Sequence, residues 1–393
     1  MVKILRVFSR LNIGGPSIHV VLLTAEMQAC GYDTRLVVGR ESRSEGNMIY
    51  LAERYGVTPV QIQELGRAIH PWSDALAFKK IYQLIREFRP DVVHTHTAKA
   101  GVLGRVAAWM LDVPVIVHTF HGHVFHSYFG NARSAFFRWI ERVLSRMSTR
   151  IIAISDNVKQ DLMLYHIAPP EKIVVVPLGL DLDSLLSVEH HRGTFRKELG
   201  LGPNDKLVGI VGRVVKVKNL EIAVKAAERV IQRLPATHFA MVGDGDEKEN
   251  LVRLIAQRGL ERHITLLGWR RDLENIYSDC DLALNTSLNE GTPVALIEAM
   301  AAGLPTVATN VGGTANVVVQ DVTGYLCPSG DAEALAAAMI NILGDQRRAR
   351  EMGRAGRERV RQRFSKQRLV RDLDSLYTNL LSKGEGFPAE KTA

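Results

Sequence analysis

From the first residue onward, short apolar, β-branched runs alternate with stretches whose apolar positions recur every three or four residues. The runs at 2–8, 34–39, 91–95, 113–120, 150–155 and 172–177 each predict a buried strand, and the segments between them predict amphipathic helices. Strands alternating with helices in this way predict a parallel sheet wound on both faces. Over 178–205 the periodicity lapses and Gly179, Asp181, Asp183, His190, His191, Gly193, Gly202 and Pro203 cluster, which predicts a change of domain. A second alternation follows, with strands near 207–212, 238–243, 264–268, 281–286, 306–309 and 324–326, and after Asp331 the pattern is wholly helical.

The expected fold is therefore α/β, with two facing doubly wound, Rossmann-like domains, a cleft between them and C-terminal helices. An N-terminal domain is expected at 1–183, a linker at 184–205, a C-terminal domain at 206–364, a helix at 365–383 able to return to the first domain, and a flexible tail at 384–393. A chain of 393 residues suits this, because single cores stop growing near 250–300 residues. Ligands of open α/β sheets bind outside the carboxyl ends of the strands, so the chemistry is expected on strand-to-helix loops.

Composition adds limits. With 46% hydrophobic and 23% charged residues the chain reads as an ordinary globular protein. Three cysteines, Cys30, Cys280 and Cys327, are too few and too scattered for a disulfide framework or a Cys-x-x-Cys metal site, which fits a reducing compartment. Lys3 and Arg6 interrupt the first apolar run, and Arg105 and Asp112 interrupt the stretch 100–120, so neither a signal peptide nor a spanning helix is expected. A cytoplasmic location follows, with any membrane contact peripheral. The net charge of +8 admits nucleic acid, anionic lipid or phosphorylated small molecules as partners.

Four loops carry candidate chemistry. Gly14 and Gly15 follow the first strand and precede a helix that Ser17 is placed to cap; free N–H groups there favour an anion, although a tight turn explains the pair as well. Val242-Gly243-Asp244-Gly245-Asp246-Glu247-Lys248 is not a dinucleotide fingerprint, because Lys248 replaces the third glycine. His121, with Gly122 and His123, ends one strand, and His94 and His96 end the strand before it. No carboxylate or cysteine accompanies them, so hydrogen bonding to a polar substrate is favoured over a metal. Arg213 and Lys218 lie at the turn after 207–212, where a forked donor, a point charge and a helix N-terminus suit a diphosphate. Glu290 precedes a helix that Pro293 opens, with Gly291 and Thr292 between them, and Glu298 stands within that apolar helix, where an unpaired charge is costly and a hydroxyl-bearing partner is expected.

Together these motifs resemble the retaining family-4 glycosyltransferases of GT-B fold, over residues 1 to about 380. Glu290 and Glu298 with their Gly291-Thr292-Pro293 and Ala302-Gly303-Leu304-Pro305 surroundings are the most specific part. The resemblance implies an acceptor-binding first domain and a nucleotide-sugar-binding second one. It implies that Gly14 and Gly15 approach the donor diphosphate, that Arg213 and Lys218 bind it, that Glu290, with Gly291, Thr292 and Pro293, contacts the donor sugar, and that Glu298 holds the ribose. His121 matches the histidine near the transferred sugar, while His96, Lys99 and His123 fall on the acceptor side, the first two resembling a variant of bacterial polysaccharide enzymes. No cofactor and no metal are implied, a UDP-sugar is the favoured donor and a lipid-linked or soluble glycan the acceptor. The family's Pro-Asn-Gly-Val-Asp segment reads Pro177-Leu178-Gly179-Leu180-Asp181 here.

Two other readings share the pattern. One is a sugar-nucleotide 2-epimerase of the same architecture. The other is a basic binding module for a membrane surface or nucleic acid, suggested by Arg133, Arg138, Arg142, Arg146 and Arg150 beside Phe136, Phe137 and Trp139; of its two partners the anionic membrane is retained and nucleic acid is not expected.

Overall fold

The computed structural model describes residues 1–40, 46–66, 68–122 and 131–382, without the side chains of 131–134. The chain divides into two compact units, Met1–Leu180 with Phe364–Ala393, and Asp181–Arg363.

The first unit runs β1 (Lys3–Phe8), α1 (Gly15–Ala29), β2 (Asp33–Gly39), α2 (Ile49–Arg54), β3 (Val60–Ile62), α3 (Pro71–Phe88), β4 (Val92–His96), α4 (Ala98–Met110), β5 (Val115–Phe120), α5 (Asn131–Arg146), β6 (Arg150–Ala153), α6 (Asp156–Leu164) and β7 (Ile173–Val175). Its seven-stranded sheet has the order β3-β2-β1-β4-β5-β6-β7, and every pairing is parallel. Parallel strands buried on both faces favour apolar residues, which is why β1, β4 and β5 each open on an apolar stretch, although Arg6, His94, His96 and His118 are buried within them. On one face Leu5, Val7, Val93 and Ile116 pack with Ala77, Ile81 and Ile85 of α3 and Ala107 of α4. Beyond α4, Arg105 and Glu141 join it to α5 in a buried ion pair of 2.7 Å.

The second unit holds α7 (Thr194–Glu198), β8 (Lys206–Val211), α8 (Leu220–Arg233), β9 (Thr237–Val242), α9 (Lys248–Gln257), β10 (Ile264–Leu266), α10 (Leu273–Asp279), β11 (Leu282–Asn285), α11 (Val294–Ala301), β12 (Thr306–Thr309), α12 (Thr314–Val317), β13 (Gly324–Cys327), α13 (Ala332–Gly344) and α14 (Gln346–Phe364). Its six-stranded parallel sheet has the order β10-β9-β8-β11-β12-β13. The final helix, α15 (Lys366–Ser382), belongs to the first unit: Leu369, Leu373 and Tyr377 pack with Ile4, Val92, Val115 and Leu23 on the sheet's other face.

Residues 184–205, expected as a linker, are instead built into the second unit. Asp279 accepts the backbone N–H groups of Gly193 and Arg196 at 2.6 and 2.9 Å, the Arg196 guanidinium pairs with Asp281 at 2.7 Å, and Phe195 is fully buried. The change of unit falls earlier, at Leu180. There the chain pairs with its own return: Leu180 donates to the Phe364 carbonyl at 2.8 Å and accepts from Lys366 at 3.0 Å. No described helix is long and apolar enough to cross a membrane.

Candidate active site

In each sheet the strand order reverses once, between β1 and β4 and between β8 and β11. The loops after those strands diverge to opposite faces and leave a crevice at the carboxyl edge. In the second sheet these are the loops that carry Arg213 with Lys218 and Glu290. In the first, the loop after β1 ends in Gly14 at the start of α1, and the loop after β4 joins His96, the last residue of that strand, to α4, which bears Lys99; His121 follows the next strand.

Around the second crevice, a 3-10 turn at Lys216–Lys218 leads to Asn219 in left-handed conformation and then to α8. The turn presents the Lys218 ammonium to Glu290 Oε1 at 2.6 Å. The same oxygen accepts from Ser287 Oγ at 2.6 Å and from Asn285 Nδ2 at 3.0 Å, so three donors fix one carboxylate oxygen and Oε2 accepts nothing among the described residues. Burial pushes the Glu290 carboxyl up, yet the lysine charge and these donors outweigh it and hold the group below its ordinary value. Arg213, one residue beyond Gly212, is exposed, and its guanidinium has no partner among the described residues.

The Glu290 loop is braced from behind. Gly313 N–H donates to the Glu290 carbonyl at 2.7 Å and Thr309 Oγ1 to the Ser287 carbonyl at 2.6 Å. Gly312 must be glycine twice over: its φ is +50°, and a Cβ would lie 2.1 Å from the Glu290 carbonyl oxygen. Pro293 stands just before α11 as its N-terminal cap rather than inside the first turn, and the N–H groups of Gly291 and Thr292 have no partner among the described residues. Glu298, half-buried on α11, accepts from the Tyr277 hydroxyl at 3.3 Å. Burial pushes its carboxyl up to about 7, and Tyr277 only partly offsets this.

The first unit gathers imidazoles instead. His121 Nε2 and His96 Nδ1 share a hydrogen bond of 2.9 Å, and His19 of α1, which the sequence pattern did not single out, completes the group with ring centroids 5.2 Å from His121 and 6.0 Å from His96. His94 sits deeper, between Tyr377 Oη at 2.6 Å and Thr119 Oγ1 at 2.7 Å. Burial holds His19, His94 and His96 well below the usual imidazole range and His121 down to about 4, so all are neutral at pH 7. His19, His96 and His121 bring one nitrogen each within 4.8 Å of one another. A cation there would meet three neutral ligands, no carboxylate or cysteine in the described group, and the charge of the wholly buried Arg6, which acts on His19 and His96.

His96 is fully buried behind His121, and Lys99 turns away to Asp74 at 2.6 Å and to the Ala68 carbonyl; His123 lies outside the described residues. Gly14 caps α1, and the N–H groups of Gly14 and Gly15 are unpartnered among the described residues. Ser17, expected as the cap, lies inside the helix, where its hydroxyl donates to the Asn12 carbonyl at 2.6 Å and closes the glycine loop.

The same chain matches two family models, Glycosyltransferase Family 4 over residues 13–184 and Glycosyl transferases group 1 over 191–359. It is 31% identical to the UDP-Gal:alpha-D-GlcNAc-diphosphoundecaprenol alpha-1,3-galactosyltransferase of Escherichia coli over 288 residues, 72% of this chain and 74% of the relative. The chain belongs to the family-4 glycosyltransferases. This glycosyltransferase is also 26% identical to the capsular polysaccharide biosynthesis glycosyltransferase CapM of Staphylococcus aureus, over 81% of the chain and 85% of the relative. Its fold is that of Anabaena Alr3699/HepE, solved in complex with UDP and glucose, with a TM-score of 0.82 at 22% identity over 96% of this chain and all of the other. The two-domain arrangement of such glycosyltransferases is GT-B.

Proposed function

We propose that this glycosyltransferase moves a sugar from a nucleotide sugar, a UDP-sugar before others, to a hydroxyl of a lipid-linked saccharide, with retention of anomeric configuration. The observation that carries the reading is the second crevice: an exposed Arg213, its guanidinium unpaired among the described residues, beside a Lys218 whose ammonium spends one N–H on Glu290 and keeps two for a ligand. Two cations at one turn suit a diphosphate leaving group, and stabilising the charge it develops is the main catalytic demand. Gly291, Thr292 and Pro293 shape the loop at the donor sugar, and in the first unit the N–H groups of Gly14 and Gly15 suit an anion.

Glu290 offers its unengaged Oε2 to the sugar hydroxyls. A carboxylate tied to lysine, hydroxyl and amide is a weak nucleophile, so it orients the donor rather than attacking it. Glu298, costly to ionise in its half-buried place, gains two donors from the ribose diol. In the first unit His121 is a neutral imidazole at neutral pH, able to hydrogen-bond a polar substrate. Transfer then follows a front-face course: the bond from the anomeric carbon to the diphosphate breaks, the acceptor oxygen adds to the same face, and its proton passes to the departing phosphate oxygen. No cofactor or metal is assigned a step. The relative whose name specifies a diphosphoundecaprenol-linked acceptor supports a lipid-linked acceptor, and such an acceptor favours a peripheral position on the inner face of the cytoplasmic membrane.

Thermal shift with UDP-, GDP- and ADP-sugars tests the donor, because a ligand of the folded state raises stability by RT ln(1 + [L]/Kd). UDP-sugars are expected to give the largest shift, and NMR of the product to show the donor's anomeric configuration kept. An inverted product overturns retention, and rapid donor turnover without acceptor moves the reading to a 2-epimerase.

A further inference from the structure

His96 Nδ1 and His121 Nε2 share a hydrogen bond, and both rings are neutral, so each brings one N–H and one lone pair to the pair. Two arrangements satisfy that contact. If His96 donates from Nδ1, a bare lone pair is left on His96 Nε2 and an N–H on His121 Nδ1. If His121 donates from Nε2, the N–H is left on His96 Nε2 and the lone pair on His121 Nδ1. Neither of these two outer nitrogens has a partner among the described residues, so the arrangement depends on where an unpaired N–H costs less.

The surroundings of the two rings differ. His96 is wholly buried, with the His94 ring tilted against it at 4.1 Å between centroids and the Phe8 ring edge-on at 6.4 Å. Arg6, beside His94 in the β1–β4 register and also wholly buried, brings five N–H donors and no acceptor, and its charge acts on His96. Donors outnumber lone pairs there. An N–H stranded on His96 Nε2 would lose its hydrogen bond and meet the guanidinium's field, whereas a lone pair is favoured by that field. His121 follows β5 at the carboxyl edge of the sheet, beside Gly122, and is only partly buried. An N–H left on its Nδ1 is one that a ligand's oxygen is able to pair.

We propose that His96 is a positioning residue: by donating from Nδ1 it fills the one lone pair of His121 and makes His121 an N–H donor, through Nδ1, to an oxygen of the substrate. The proposal deepens the polar-substrate role given to His121 and rests on it for the ligand, though not for the tautomer. His121 then has no lone pair free to take the proton of an attacking hydroxyl, and the front-face course, in which the departing phosphate oxygen takes it, requires none. His96, expected on the acceptor side, acts through His121 instead of on the substrate.

Long-range proton–nitrogen NMR of the full chain carrying isotope-labelled histidine tests the tautomer in the wild type, with His121→Asn serving to assign the His121 ring. At neutral pH both His96 and His121 are expected to hold their proton on Nδ1. A proton on His121 Nε2 overturns the proposal. His96→Asn keeps an N–H donor near the Nδ1 position and should preserve the His121 tautomer, whereas His96→Leu removes the donor and should let the other tautomer in. With kcat read as UDP release from the UDP-sugar that gives the largest thermal shift, His96→Leu should lose about tenfold and His96→Asn no more than about threefold, the scale of one neutral hydrogen bond. Thermal shifts with that UDP-sugar equal to wild type verify that the variants fold. Equal losses in the two variants with the His121 tautomer unchanged make His96 a structural residue and overturn its positioning role. If the tautomer follows the variants but His96→Leu turns over as fast as wild type, the pairing stands and the role of His121 toward the substrate falls.

Discussion

Behind the first unit's crevice stand neutral imidazoles and one buried guanidinium, while the second unit's crevice is lined by a carboxylate, an ammonium and an unpaired arginine held on glycine-braced loops. The two sheets share a topology, so the contrast comes from the side chains at equivalent strand ends. His94 and His96 belong to a strand buried on both faces and must be uncharged to stay there. Arg213, Lys218 and Glu290 sit on loops beyond their strands, where water or a ligand completes their solvation. The second set is suited chemically to a charged group and the first to a neutral polar one.

Acidification tests the contrast most severely. His19, His94, His96, His118 and His121 all have folded-state pKa values depressed by burial, so their contribution to stability is present above about 6.5 and is lost as pH falls below it. Each imidazole kept neutral costs about 1.4 kcal/mol per pH unit below its ordinary value, so calorimetry at pH 5 against pH 8 should show the first unit's transition lowered by roughly 5 °C or more. A transition unmoved by pH would mean these rings are solvated in solution.

Next in size is Lys218→Ala. It removes a cation from the crevice and leaves Glu290 without its counter-charge, so a loss of about 1–3 kcal/mol in stability should accompany a fall in kcat/KM. Arg213→Ala, which breaks no internal bond, should lower kcat/KM by a factor equivalent to about 1.5–3 kcal/mol while leaving Tm unchanged. Equal Tm losses in the two variants would erase the distinction between a paired and a free cation.

The smallest effect concerns Glu298 and has the opposite sign to the histidines. Its carboxyl titrates near 7 instead of 4.5, so the proton it holds adds stability that is full below about 4.5 and gone once pH rises through 7. Glu298→Gln should therefore flatten the second unit's decline in Tm between pH 5 and pH 8, and should weaken binding of the free nucleoside diphosphate measured calorimetrically at pH 8. A variant with wild-type affinity would remove Glu298 from the ribose.

How much of this was legible depended on whether a signal was local. Strands such as β1, β5 and β8 announced themselves because burial on both faces favours runs that are mostly apolar and β-branched, broken only at Arg6 in β1 and at His118 and Thr119 in β5. Three-residue β3, at the sheet's edge after Pro59, has no such run and was missed. Residues 193–198 read as a linker because their order comes from Asp279 and Asp281, far along the chain. The Glu290 and Glu298 spacing was visible, but the Lys218 pairing spans 72 positions and leaves no local trace. His19 was hidden between Ile18 and Val20 on an apolar helix. Gly312-Gly313 was the one overlooked signal in plain view, since adjacent glycines after a strand mark a close backbone approach.

The pairing of Leu180 with Phe364 and Lys366 has a consequence for how the chain is made. The first unit's sheet leaves the ribosome early, but the helix bearing Leu369, Leu373 and Tyr377, which covers one of its faces, emerges only after the whole second unit. At about 5–20 residues per second that delay is roughly ten to forty seconds. Through that interval Ile4, Val92 and Val115 lack their cover, and His94 lacks Tyr377. The nascent first unit is thus a natural client for chaperones, and premature termination before residue 366 yields a finished second unit tethered to an unfinished first.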